Sequence, residues 1–262
     1  MTTSDAFYQK IALQLEQAEQ TRVPIEPLSK TYSHLTPAIS YAIQSQWLSY
    51  KLEQGRRIIG RKIGLTSQAM QEQMGVDQPD YGFLLDSMMV PSGSTIAGDE
   101  LIQARIEPEI AFWLARDLRG PGVTLDEVLE ATHGVSAALE VVDSRIKNWR
   151  ITLVDTIADN ASSGRMVVSE TLVPVKQLDL AAVTTVLTRN NEPVGRGMGA
   201  AVLGHPALAV AWLANKLAEF GIALLSGQVI LSGAMCAAVP IAPGNNFRAV
   251  FSDLGEVLLN IK

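Results

Sequence analysis

The chain has almost none of the residues that soft-metal and disulfide chemistry require. Of its 262 residues, one is cysteine (Cys236) and three are histidine. An intrachain disulfide is excluded, and a zinc site would be nearly without its usual sulfur and nitrogen ligands. Lys and Arg number 21 against 27 Asp and Glu, for a formal net charge of -6, and there is no basic run. Nucleic acid is therefore not an expected partner. Apolar runs such as Val229-Ile230-Leu231 are far too short to span a bilayer. The opening Met1-Thr2-Thr3-Ser4-Asp5 carries an acid and lacks the apolar stretch of a signal peptide, so a cytoplasmic protein is expected. With 47% hydrophobic and 18% charged residues the chain suits a compact fold with a substantial core, as one large domain or two small ones.

What the chain does have is carboxylate in unusual company. In Arg105-Ile106-Glu107-Pro108-Glu109-Ile110-Ala111-Phe112-Trp113, strand alternation sends Ile106, Ile110 and Phe112 one way and Arg105, Glu107 and Glu109 the other. Two carboxylates at i and i+2 stand roughly 7 Å apart at the backbone, close enough to converge on one cation. A solvated edge strand with a polar outer face also fits these residues taken alone. A second strand, Val135 to Val142, places Val135, Ala137, Leu139 and Val141 on one face and Glu140 on the other, beside Ser136 and Ala138. A carboxylate among small and apolar neighbours needs a partner. Three oxygen ligands with positions left open suit Mg²⁺ or Mn²⁺.

The remaining segments frame these strands. Phe7, Ile11, Leu15 and Ala18 form a helical stripe, and Pro24 and Pro27 end that helix. Thr36 as N-cap, Pro37 at the first turn and Gly55 past the end delimit a second helix, with Ile39, Ile43, Trp47 and Tyr50 as its expected buried stripe. Arg57 to Leu65 reads as a strand with Lys62 on the face of Ile58 and Gly60. Lys62 is there either a surface lysine at a sheet edge or an ammonium facing an anionic substrate. Ser67 to Met74 is a short helix closed by Gly75, and Asp77 to Leu84, with its proline, glycine and two aspartates, reads as a loop. Thr124 and Glu127 form a capping box for a helix expected to end at Gly134, with His133 in its last turn. Asp155 to Arg165 is rich in small polar residues, which could donate to a bound carboxylate or simply form a turn network. Val183 to Thr188 and the segment from Val194 pair around Asn190-Asn191. Gly195-Arg196-Gly197 lacks the βαβ setting of a nucleotide loop, and Gly204-His205-Pro206 opens a helix to about Phe220. The expected organisation is a helical α/β part over residues 1–75 and a β-rich catalytic part over residues 76–262.

Several of these segments together resemble the 2-hydroxypentadienoate (2-keto-4-pentenoate) hydratase and 4-oxalocrotonate decarboxylase family, within the fumarylacetoacetate hydrolase-like group. The likeness runs through Gly60-Arg61-Lys62-Ile63-Gly64-Leu65-Thr66, Gln78-Pro79-Asp80-Tyr81-Gly82, Arg105 to Ile110, Leu139 to Arg145, Ala158 to Ser162, Leu203 to Pro206 and Ile230 to Gly233. It implies an α+β fold, a mixed β-roll or sandwich with a helical α/β N-terminal part. It also implies homo-oligomeric assembly and a complex with a neighbouring enzyme of aromatic meta-cleavage catabolism. By the same resemblance, Glu107, Glu109 and Glu140 hold Mg²⁺ or Mn²⁺, Lys62 and Asp80 work beside the metal, and Ser163 and Arg165 touch a small 2-oxo or 2-hydroxy-dienoic acid.

The expected reaction is hydration of 2-hydroxypenta-2,4-dienoate to 4-hydroxy-2-oxopentanoate; the alternative is decarboxylation of 2-oxohex-3-enedioate. Asp80 within Pro79-Asp80-Tyr81-Gly82, Ile146 to Trp149 and Asp155-Thr156-Ile157 resemble the hydratases. Arg165 and Ala237-Ala238-Val239-Pro240 resemble the decarboxylases. A hydrolase of acylpyruvates would need a base beside the metal, a role for which neither His133 nor His205 has a clear claim. A non-catalytic protein on the same fold would be expected to lack the metal carboxylates.

Overall fold

The computed structural model describes residues 3–262. Met1 and Thr2, part of the stretch read for a leader, lie outside the described residues. Three helices come first: α1 (Thr3–Thr21), the single turn α2 (Leu28–Thr31) and α3 (Pro37–Glu53). Then follow β1 (Ile58–Gly64), α4 (Gln68–Met74), β2 (Asp80–Leu85), β3 (Met89–Pro91), β4 (Thr95–Ile96), β5 (Arg105–Leu114), α5 (Leu125–Ala131), β6 (Thr132–Val142), α6 (Leu153–Ala158) and β7 (Ser163–Val168). The last third holds β8 (Thr184–Arg189), β9 (Glu192–Met198), α7 (Pro206–Ala218), β10 (Val229–Leu231), β11 (Val239–Pro240), β12 (Asn246–Phe251) and β13 (Gly255–Ile261).

The strands form two sheets. The larger runs β2-β1-β10-β5-β6-β7-β3, with β11 also on β5; the smaller runs β4-β13-β12-β8-β9. This is the α+β architecture expected, a curled mixed sheet joined to a second sheet that is antiparallel except for its edge strand β4, which runs parallel to β13. β12 and β13 pack over β6, and the shared core between the sheets includes Ile110, Phe112, Leu139, Val141, Phe247 and Leu259. Strand β1, N-terminal to the expected division at residue 75, pairs with β2 on one side and β10 on the other.

Local signals account for the helices. Thr36 accepts from the Ile39 N–H with Pro37 at the first helical position, and Ser67 and Gly75 bracket α4. In α3 the buried residues include Ile43 and Trp47, while Ile39 and Tyr50 are only half-buried and Gln44 takes a buried place. The Gln44 amide earns that place by donating to the carbonyls of Tyr81 and Ile157, at 3.0 and 2.8 Å, which ties α3 to β2 and α6.

Two expectations fail here. Asp80 to Leu85 is a buried strand, not loop, because it pairs with β1 from Ile58↔Leu85 to Gly64↔Asp80. Gly82 sits in that strand because a Cβ there would stand 2.5 Å from the Asn160 carbonyl oxygen. Likewise α5 stops at Ala131, and His133 and Gly134 already belong to β6, with Gly134 opposite Trp113. His133 is exposed on that strand rather than set in a helix end.

Candidate metal centre and active site

Strand register brings the charged residues together. Glu107 is directly opposite Glu140 and Glu109 opposite Ala138 across β5 and β6. Cross-strand partners point to the same face, so the i, i+2 pair on β5 and the single carboxylate on β6 converge. One oxygen from each of Glu107, Glu109 and Glu140 lies within 4.8 Å of the others. β5 is an interior strand, flanked by β6 and by β10 and β11, which removes the solvated-edge explanation. Glu109 and Glu140 are both 0% exposed.

Pro108 is tolerated in this central strand for a specific reason. β10 pairs with residues 111–113 and β11 with residues 105–106, leaving an interruption opposite Pro108. The Pro108 carbonyl accepts from the Met235 N–H at 3.0 Å, and the N–H that proline lacks would point into the same interruption. There the chain also turns its Gly233 N–H to Glu109 Oε2, at 2.8 Å. The other oxygen of Glu109, both oxygens of Glu140 and the hydroxyl of Ser163 are buried without a hydrogen bond. Buried carboxylate oxygens left this way are costly unless a cation takes them. An all-oxygen donor set, with Glu107 only half-buried, fits a hard divalent ion that keeps positions open for another ligand.

Lys62 projects onto the same face from β1. Its Nζ is 3.2 Å from Glu140 Oε2 as an ion pair, and it donates to the Ala161 carbonyl at 3.2 Å. At 3% exposure it is no edge lysine. Asp80, opposite Gly64, comes from β2 onto this face and accepts from Thr156 Oγ1 at 3.3 Å. A Cβ on Gly64 would collide with Asp80 Oδ1 and stand 3.3 Å from Lys62 Nζ, so the glycine leaves room for the acid and the ammonium to sit side by side.

These groups perturb one another. Burial, then the Glu140 charge, pushes Glu107 up to about 7. Burial and Glu140 likewise hold Glu109 well above the usual carboxylate range. Burial raises Glu140 against the pull of Lys62, and raises Asp80 against the same ammonium. Burial alone would depress Lys62, but Glu140, Asp80, Glu109 and Glu107 together keep it above its ordinary value and charged.

Ser163 shares this face: it pairs with Val142, two residues along from Glu140. It is close enough to Glu140 to favour the charged carboxylate but is not aligned for a hydrogen bond. Arg165 pairs with Val141 and so points to the opposite side. Its guanidinium donates to the Gly164 carbonyl at 3.1 Å and lies 3.9 Å from Glu100. His205 caps α7, its Nδ1 accepting from the Ala207 N–H at 3.1 Å.

The approach to the centre also includes residues that the sequence placed in a polar segment and in the family likeness without giving them individual roles. Asn160, Ala161 and Ser162 all have left-handed backbones, with φ of 56°, 49° and 54°. Outside glycine such a conformation costs roughly 1–2 kcal/mol per residue, and three in succession need a compensating hold. Asn160 is the only visible hint, since Asn adopts this region more readily than Ala or Ser.

These geometries match a known class. Residues 58–261 match the family model of the fumarylacetoacetate (FAA) hydrolase C-terminal domain, and the chain belongs to that family. Within it, the chain is 43% identical over 251 residues to the 2-hydroxyhexa-2,4-dienoate hydratase of Comamonas testosteroni, covering 95% of each protein. It is 45% identical over 249 residues to the 2-keto-4-pentenoate hydratase of Paraburkholderia xenovorans (strain LB400), covering 95% of this chain and 93% of that one. Among solved structures, the 4-oxalocrotonate decarboxylase from Pseudomonas putida G7, complexed with magnesium and adipate, superposes with a TM-score of 0.97 at 37% identity over the whole of both chains. Among the described residues no helix is long and apolar enough to cross a membrane.

Proposed function

We propose that the protein is a divalent-metal-dependent lyase that hydrates 2-hydroxypenta-2,4-dienoate to 4-hydroxy-2-oxopentanoate. The observation that carries this reading is the convergence of Glu107, Glu109 and Glu140 within 4.8 Å, with Oε1 of Glu109 and Oε1 of Glu140 buried and without a hydrogen bond. Lys62 and Asp80 stand beside the triad in a chain whose relatives at 43% and 45% identity are hydratases. Glu107, Glu109 and Glu140 would hold Mg²⁺ or Mn²⁺, which when bound supplies Lewis-acid polarisation of the substrate's 2-oxygen. Asp80, whose carboxyl burial favours the protonated form, serves as the acid–base group. It handles the proton shift that turns the 2-hydroxydienoate into the 2-oxo-3-enoate, then the proton of the water adding at C4. Lys62 offsets the negative charge that develops on the conjugated oxygen. Ser163 donates its free hydroxyl to the substrate. Homo-oligomeric assembly, a cytoplasmic location, association with a neighbouring pathway enzyme and the division near residue 75 belong to the same proposal.

Decarboxylation of 2-oxohex-3-enedioate is the second reading, favoured by the match to the decarboxylase structure complexed with adipate. It uses the same carboxylate triad, but Arg165, turned to the opposite side of the sheet, is not placed to meet the second carboxylate. Purified protein with Mg²⁺ is offered both acids while dienol absorbance and CO₂ release are followed. Hydration of the monoacid is expected, abolished by chelation of the metal. CO₂ from the diacid with no hydration of the monoacid would reject the first reading in favour of the second.

A further inference from the structure

Arg145 is buried, has no role assigned above, and sends its hydrogen bonds to Asp143, Asp159 and Ser163, the last of which shares the face of the centre. Its Nε pairs with Asp159 Oδ1 at 2.5 Å, and its backbone N–H donates to Asp159 Oδ2 at 3.1 Å. Nη1 donates to the carbonyls of Asp143 and Ser163, at 2.7 and 2.8 Å, and Nη2 to the carbonyl of Asp159. The guanidinium also lies over the Trp47 ring, 5.0 Å from its centroid. A buried guanidinium must satisfy all of its N–H donors. Here those beyond the carboxylate go to main-chain carbonyls at Asp143 and at both ends of the segment 159–163, which ties the two ends of that segment to one rigid fork.

Between those ends lies the left-handed turn of Asn160, Ala161 and Ser162. Ser162 Oγ donates back to Asp159 Oδ2 at 3.2 Å. The Asn160 side chain clamps β2 in both directions, accepting from the Phe83 N–H at 2.7 Å and donating to the Phe83 carbonyl at 3.0 Å. The product of this hold is specific: the Ala161 carbonyl faces Lys62 Nζ at 3.2 Å, and Ser163 starts β7 on the Glu140 face. Backbone strain persists where its surroundings over-determine it, and such places cluster at working sites.

We infer that Arg145 is a positioning residue: through Asp159 and the Asn160–Ala161–Ser162 turn, it fixes Lys62 Nζ and the Ser163 hydroxyl beside the carboxylate triad. The inference rests on the proposed role of Lys62 in the lyase reaction. Neither Arg145 nor the turn supplies a carboxylate to the triad, so metal affinity is separable from turnover.

The test uses the full-length enzyme with Mg²⁺ and 2-hydroxypenta-2,4-dienoate, with circular dichroism as the check on folding. Arg145→Lys keeps a cation opposite Asp159 but removes the fork. It is expected to lower kcat about tenfold or more, while KM and Mn²⁺ affinity, read by electron paramagnetic resonance, change less than about threefold. Asn160→Gly accepts the left-handed backbone but loses the Phe83 clamp; the same split is expected, and this variant decides alone if Arg145→Lys does not fold. In a Lys62→Met background the Arg145→Lys change should cost less than about twofold further, because the two act as one unit. Wild-type kcat in both single variants, or an undiminished loss in the Lys62→Met background, would overturn the inference while leaving the proposed function standing. Wild-type turnover by Lys62→Met would overturn the role of Lys62, and the inference with it.

Discussion

At the scale of single residues, the centre is a problem in charge. Four carboxyls and one ammonium share a buried face, and the ammonium cannot neutralise them all. Glu109→Gln keeps the shape of the side chain but removes one anionic ligand. It should abolish metal-dependent turnover and weaken Mn²⁺ binding by at least about tenfold, measured by titration calorimetry; unchanged binding would mean the triad holds no ion. Asp80→Asn leaves the triad intact and should lower hydration by roughly 10²–10⁴, the usual range for a lost acid–base group, with Mn²⁺ affinity retained. Wild-type hydration by that variant would remove Asp80 from the mechanism. Much of this was legible in the sequence, because strand alternation alone separates Glu107, Glu109 and Glu140 from their apolar neighbours. The pairing of Arg145 with Asp159 was not, since it spans a helix and two turns and has no period to betray it.

At the scale of elements, β2 shows how local chemistry can mislead. Pro79 and Gly82 read as loop signals, yet the strand begins one residue after the proline, and its glycine answers to Asn160 rather than to a turn. The same contact explains why the loop-like composition of residues 155–165 yields a short helix, a left-handed turn and a strand: its polar side chains are committed to neighbours far along the chain. Gly82→Ala would force β2 away from the Asn160 carbonyl. It should destabilise the fold by about 1–3 kcal/mol and lower kcat together with the melting temperature. An unchanged melting temperature would show that the strand has slack there.

At the scale of the whole molecule, the carboxylates couple metal binding to pH. Burial and the Glu140 charge raise Glu107 from 4.5 to about 7 in the folded protein, and burial raises Asp159 from 3.8 to about 6. A carboxyl whose folded value is raised binds its proton more tightly when folded, so stability falls as pH climbs from the unfolded value through the folded one. Without metal, these two groups should therefore lower the melting temperature progressively between about pH 4 and pH 7. A divalent ion replaces the proton at Glu107 but not at Asp159. The increment in melting temperature on adding Mg²⁺ should accordingly grow with pH up to about 7 and then level off. An increment that stays flat over that range would contradict the assignment of Glu107 to the metal.

The central claim is that water is added at C4 of a conjugated 2-oxo acid held beside Glu107, Glu109 and Glu140. It is tested most directly by running the reaction on 2-hydroxypenta-2,4-dienoate in H₂¹⁸O and fragmenting the product by mass spectrometry. The account predicts ¹⁸O in the 4-hydroxyl group, at a rate that depends on added Mg²⁺ and is lost in Glu109→Gln. Substrate recovered without a labelled 4-hydroxyl, under conditions in which 2-oxohex-3-enedioate releases CO₂, would contradict it.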